Sequence, residues 1–266
     1  MKQATNPSVQ VLYMRQAAWL YRTERIERAQ GYCNNALLLC QENHDQRGEA
    51  MVLSMQGNLA RIIGNEELAR HAYEQVLATA REMGDVSLIA SSLANLGNSA
   101  RDADDYELSM RYNQEAMLLF QQLQDRFSLG LMFINITRLH LYAWQYEEGR
   151  ATLRQALDVA EELEDRNMQR RSIFLGALLA VGQQEWEHAI LLLSAADMLR
   201  TQSQIEQVPG NAREQAKAVQ AILGHINVAT FEKLWERGRT LTWKEMNALI
   251  NEPSPPDPLS LPVVPP

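Results

Sequence analysis

Four asparagines and three arginines recur in register along the chain. Asn58 and Asn98 lie 40 positions apart, as do Asn95 and Asn135 and also Arg61 and Arg101, and Arg138 stands 40 after Asn98. A carboxamide offers a donor and an acceptor together, so such a row can pair with the C=O and N–H groups of an extended chain. A guanidinium beside it attracts an acidic side chain, a terminal carboxylate or a phosphate. Asparagine competes with the backbone of a helix for hydrogen bonds, so its repeated placement inside helices asks for a reason. The alternative is a solvated polar face whose members bond to one another and to water.

The chemistry these residues offer is recognition. No nucleophile, base and orienting group can be assembled from the sequence, so no enzyme is expected. His44, His71, His140, His188 and His225 are scattered without His-Glu-x-x-His spacing, which predicts no metal site, and no cofactor is implied. Cys33 and Cys40 stand seven apart on one expected helix, about 10 Å at the helical rise and too far for a disulfide.

The elements that position the polar residues follow from composition and period. The chain has 266 residues, 46% of them hydrophobic and 22% charged, and seven of its 9 prolines fall between Pro253 and Pro266. A body almost free of proline and rich in Ala, Leu, Gln, Glu and Arg predicts an all-α fold. A net charge of −8 argues against direct contact with nucleic acid, whose affinity comes from clustered Lys and Arg. No apolar run approaches the roughly 18 residues that span a bilayer, so no membrane partner is expected. The start lacks the pattern of a secretory signal, which predicts a cytoplasmic chain.

Sliding the sequence by 40 superposes Asp45, Asp85, Asp125 and Asp165. It also aligns three columns of small residues: Ala17, Gly57, Gly97, Thr137 and Ala177; Ala29, Ala69, Ser109, Gly149 and Ala189; and Ala36, Val76, Ala116, Ala156 and Ala196, where only Val76 is larger. Small side chains in register mark places where the two helices of a hairpin cross closely. The array 8–201 therefore divides into five helix hairpins, 8–45, 46–85, 86–125, 126–165 and 166–201. In the third, helices are expected from Val86 to Ala100 and from Tyr106 to Leu123.

Gly57-Ala69-Val76 and Gly97-Ser109-Ala116 resemble the tetratricopeptide repeat, which places a small residue within its first helix, Ala twelve positions later and Ala seven beyond that. The resemblance implies a right-handed superhelix with the first helices on its concave side, and a non-enzymatic module binding a protein or extended peptide there. Asn58, Arg61, Asn95, Asn98, Arg101, Asn135 and Arg138 are the expected groove residues, and Asn58 and Asn98 match the family's peptide-holding asparagine. The family repeat is usually 34 long, so each second helix is expected to be longer by more than a turn. The acidic column stands where a proline often ends that helix.

The 40-residue phase is lost after Arg200, and 203–210 reads as a loop. Helices are expected at Ala212–Gly224, Asn227–Arg239 and from Thr242, where Thr242 and Glu245 have capping-box spacing. The segment 211–251 would cap the open end of the array, and 252–266 is a Pro-rich tail or linker with a Pro-x-x-Pro spacing at Pro262 and Pro265.

The string Phe231 to Glu245 is similar to the end of the repeat arrays in multidomain ATPase regulators, including LuxR-type and MalT-like activators. That similarity implies the sensor region of a bacterial signalling or transcriptional regulator. Its partners would be a nucleotide-switch ATPase domain and a DNA-binding domain in the same or a neighbouring chain. The chain itself has no Gly-x-x-x-x-Gly-Lys-Ser/Thr phosphate loop. The alternatives are a free-standing adaptor or scaffold and a receptor for a short signalling peptide. An uncapped first hairpin, with Val11-Leu12-Tyr13 exposed, would allow a homodimer.

Two further expectations concern conspicuous side chains. Trp19, Trp144, Trp186, Trp235 and Trp243 read as core or hairpin-contact residues. The run Glu161 to Asp165 reads as a solvated helix end that Arg166, Arg170 and Arg171 would offset.

Overall fold

The computed structural model describes residues 26–203 and 209–251. The expected first helix of the first hairpin with Val11-Leu12-Tyr13 and Trp19, part of the 203–210 loop, and the Pro-rich tail 252–266 lie outside the described residues. Among the described residues twelve helices follow one another and there is no strand. They are α1 (Ile26–Glu42), α2 (Gln46–Ile62), α3 (Glu66–Met83), α4 (Val86–Asp102), α5 (Tyr106–Gln122) and α6 (Arg126–Tyr142). Then come α7 (Tyr146–Glu162), α8 (Arg166–Gly182), α9 (Trp186–Gln202), α10 (Pro209–Leu223), α11 (Val228–Gly238) and α12 (Trp243–Asn251). This is an all-α helical repeat array.

The turns explain the regularity. His44, Gly64, Gly84, Asp104, Gln124, Trp144, Glu164 and Gln184 all have positive φ, one every twenty positions, and only two of them are glycine. The residue after each donates its N–H to a carbonyl five positions back, as Asp45 does to Cys40 and Asp165 to Ala160, closing a Schellman-type helix end. At five of these turns that residue also caps the next helix. The side chains of Asp45, Asn65, Asp85, Asp105 and Asp165 accept from the N–H groups of Gly48, Leu68, Leu88, Leu108 and Met168.

Two expectations are corrected here. The acidic column does not end the second helices; the left-handed residue before it does, and the aspartates seen capping start the following helices. Nor is the second helix the longer one in the third hairpin, where α4 and α5 have 17 residues each, although α3 has 18 to the 17 of α2.

The chain forms two compact units, one ending at Asp125 and one beginning at Arg126. In the first unit α2 pairs with α3, α4 with α5, and α2 also touches α4. The small-residue columns lie where helices cross: a Cβ added to Gly57 would stand 2.6 Å from the Tyr73 ring. Ser109 Oγ donates to the Gly97 carbonyl at 2.7 Å, and Ala29, Ala36, Ala69 and Ala116 are fully buried.

In the second unit α6 pairs with α7, α8 with α9, and α6 touches α8. Ile173, Leu175, Leu179, Ile190, Leu153 and Leu157 fill its core. Helix α11 covers α9 so closely that a Cβ on Gly238 would stand 2.6 Å from the Leu191 carbonyl oxygen, and Ser194 Oγ donates to the Trp235 carbonyl at 2.5 Å. Helix α12 lies against α7, α8 and α9, with Ile250 over Gly176. It begins at the expected capping box: Thr242 N and Oγ1 donate to Glu245 Oε2 at 2.8 and 2.7 Å, and Glu245 N donates back to Thr242 Oγ1 at 3.3 Å. Helix α10 lies against α8 and α9 instead of forming a hairpin of its own.

Two side-chain expectations also change. Trp144 is 50% exposed at a turn, edge-on to Tyr146, and is no core residue. Within the acidic run Glu162 is met by Arg126, whose Nη2 approaches Oε2 at 2.5 Å, and not by Arg166, Arg170 or Arg171. The expectation took arginines of the following helix, but α6 brings Arg126 across the hairpin.

Candidate functional site

In the first unit, five of the expected groove residues meet on the adjacent first helices α2 and α4. Asn58 Oδ1 accepts from the hydroxyl of Tyr73 at 2.8 Å, and burial pushes that phenol's pKa up to about 12. Arg61 Nη1 donates to Asp102 Oδ2 at 2.8 Å. Arg101 reaches Asp102 Oδ1 through Nε at 3.1 Å and Nη2 at 2.7 Å, and Asn98 Oδ1 through Nη1 at 3.2 Å. Asn95 Nδ2 donates to Ser54 Oγ on α2 at 3.1 Å. Asp102 thus ties the arginines of two successive repeats together.

The register that repeats every 40 residues produces this cluster, because equivalent positions on neighbouring first helices must face the same way. Its electrostatics are balanced within the protein. Arg61, Arg101 and Asp102 keep 30%, 19% and 25% of their side-chain surface, enough for water and a ligand to reach them. Glu66, at the start of α3, has one carboxylate oxygen buried without a hydrogen-bond partner. Burial, and then the Asp102 charge, raise its pKa against the lowering influence of Arg61 and Arg101. Partners are therefore available for exchange: an incoming carboxylate would compete with Asp102 for two guanidinium groups, and a backbone amide with Arg101 for Asn98.

In the second unit the expected residues behave differently. Asn135 is 6% exposed, beneath the surface of α6. Arg138, on the same helix, is mostly covered, and its Nη1 donates to Glu214 Oε1 at 2.7 Å and Oε2 at 2.5 Å. The hydroxyl of Tyr142, one turn on, donates to the same Oε1 at 2.8 Å. Burial pushes the Arg138 pKa down, and Glu214 and Tyr142 more than offset it, leaving the guanidinium above its ordinary value.

The solved structures include one of similar fold. BtubC (BKLC) from P. vanneervenii matches with a TM-score of 0.59 and 17% sequence identity, over 76% of this chain and 91% of that chain. At that identity the likeness concerns the fold alone. No family model and no curated protein matches the chain.

Sequence reasoning missed Tyr73, Glu66, Asp102, Tyr142 and Glu214. Tyr142 carried a signal, since it follows Arg138 by four positions and shares its helix face. Asp102 was placed in a turn, although it ends α4. Glu214 carried none, because its contact with Arg138 spans 76 positions outside the repeat.

Proposed function

We propose that this chain is a non-enzymatic interaction module that holds a protein or extended peptide on its first-helix faces. The observation that carries this reading is the recurrence on α2 and α4 of the same pair, Asn58 with Arg61 and Asn98 with Arg101, in side chains that remain accessible. Such a surface supplies amide groups for a peptide backbone and guanidinium groups for its acidic side chains, and needs no catalytic group. The finer reading is the sensor region of a bacterial signalling or transcriptional regulator. It rests on the resemblance of the repeat and of the Phe231 to Glu245 string, and would pair the array with a nucleotide-switch ATPase domain.

Selection of a random short-peptide display library on the full chain tests the reading, with the enriched peptides measured by calorimetry. Peptides rich in Asp or Glu should be enriched and lose about tenfold or more in affinity for the Asn58→Ala, Asn98→Ala, Arg101→Ala variant. The variant should keep the helical circular dichroism of the parent. Equal affinity for both chains would remove the first-helix face as the binding surface.

A further inference from the structure

We infer that the groove between α1 and α3, floored by α2, is a docking site for a short amphipathic helix of a partner protein, seated there as α12 is seated on the last hairpin. On α2 the groove residues Gln56 and Ala60 lie on a different face from Asn58 and Arg61, so this surface is distinct from the polar one.

The chain supplies the template for the occupant. Helices α7, α8 and α9 are the counterparts of α1, α2 and α3, 120 positions on. Helix α12 touches all three of them. Its Ile250 is fully buried over Gly176, so close that a Cβ added there would stand 2.6 Å from Ile250 Cδ1. Two side chains of α7 hold the end of the docked helix: Arg150 Nη1 donates to the Ile250 carbonyl at 2.8 Å, and Arg154 Nε to Asn251 Oδ1 at 3.0 Å.

The equivalent places in the first unit stand open. The counterparts of Arg150, Arg154 and Gly176 are Gln30, Asn34 and Gln56, and all three line a groove of about 350 Å³. The bulk that Gln56 adds to the floor is offset on α3, where Ala72 stands in place of the counterpart Leu192. Leu59, Ala60 and Ala72 make an apolar bottom, and Leu68 stands at its side with 53% of its surface exposed. Such a concave apolar surface gains free energy when another apolar side chain covers it.

The lining also fixes the chemistry of the occupant. It includes no Lys, Arg, Asp or Glu, and its polar members are four carboxamides and His71. Gln56 Nε2 donates to Asn34 Oδ1 at 3.1 Å, tying α2 to α1. A charge on the contact face of the partner would lose water without gaining an opposite charge, so that face is uncharged. The carboxamide N–H groups at 30 and 34 can serve the unpaired carbonyls at the end of a helix, as the two arginines do for α12.

The probes are fluorescein-labelled synthetic peptides with the sequence of residues 241–251. They are stapled between positions 244 and 248, which α12 leaves exposed, because so short a helix is marginal alone. Position 250 carries Ile, Leu, Phe or Asp, and each peptide is titrated into the full chain by fluorescence anisotropy. The tightest apolar peptide should bind about tenfold or more tightly than the Asp peptide, and should lose about tenfold or more on Leu68→Asp. That variant should keep the helical circular dichroism of the parent, since the side chain is exposed and an acidic residue suits the first turn of α3.

Absence of saturation up to about 1 mM, equal binding of the apolar and Asp peptides, or equal affinity for the parent and Leu68→Asp would each overturn the inference. The last result would mean that the peptide displaces α12 from its own seat. Because the peptide series is read on a single chain, it does not depend on how well a substituted chain folds. Such a failure would leave the Asn58, Asn98 and Arg101 result standing, since those side chains belong to the other surface.

Discussion

The buried arginine at position 150 joins three elements of the second unit. It is 2% exposed, and Glu185, its partner, 7%. Its guanidinium donates to Glu185 Oε2 at 2.5 Å, to Gln183 Oε1 at 2.6 Å and to the Ile250 carbonyl at 2.8 Å, joining α7, the turn before α9, and α12. Arg150→Met keeps most of the apolar volume and removes all three bonds. Leaving one member of a buried ion pair alone costs about 3–5 kcal/mol, because the remaining charge stays out of water.

The orphaned Ile250 carbonyl adds about 1–3 kcal/mol when taken alone, but the losses share one rearrangement and do not sum. The expected total of about 4 kcal/mol is a large part of the roughly 5–15 kcal/mol that holds an ordinary domain together. Urea unfolding followed by tryptophan fluorescence reads it, since Trp144, Trp186, Trp235 and Trp243 all belong to this unit. The double variant Arg150→Met, Glu185→Leu removes the stranded carboxylate and should recover most of the loss. A single-variant cost below about 1 kcal/mol, or a double variant no better than the single one, would refute the reasoning.

Three further outcomes are expected. Glu164→Gly should stabilise the second unit by about 0.5–1 kcal/mol in thermal unfolding, because Glu164 is an exposed left-handed residue whose Cβ strains the turn. In Asp85, hydrogen bonding from Arg47, opposed by burial and aided by the Leu88 N–H, holds the carboxyl below its ordinary value of 3.8. The stability this gives is present above that value and lost as the pH falls through the lower folded one, so the penalty of Asp85→Ala, about 1 kcal/mol or more at neutral pH, should shrink below pH 3.8. Glu66 has the opposite sign: its raised pKa makes the ionised form unfavourable, so Glu66→Gln should raise the melting temperature of the first unit at neutral pH. That gain should fade below the ordinary value of 4.5, where the carboxyl is protonated in both states.

What could be read in advance followed from local rules. A small residue at 57 or 97 is required by a helix crossing within the same hairpin, and Asp85 or Asp165 is required by the amide three residues on, so both leave a repeating mark. The helix ends were hidden because the left-handed position is occupied by His44, Asp104, Gln124, Trp144, Glu164 and Gln184 as well as by glycine, and side-chain type does not announce it. The polar site was legible by half. Asn58, Arg61, Asn98 and Arg101 are equivalent positions of one repeat, whereas Tyr73 and Asp102 are specific to their own hairpins. Glu214 belongs to a segment with no period at all, and only tertiary packing brings it to Arg138. Asn135 shows the reverse case: it keeps the register of Asn95, yet the surroundings of α6 bury it.

In the proposed function, partners are held on the first-helix faces. A photo-reactive benzophenone amino acid placed at position 61, on α2, and separately at position 111, on the exposed side of α5, tests it most directly. After irradiation with the peptides enriched by display, cross-links should form from position 61 and not from 111. Cross-links from 111 alone would contradict the account and move recognition to the second helices.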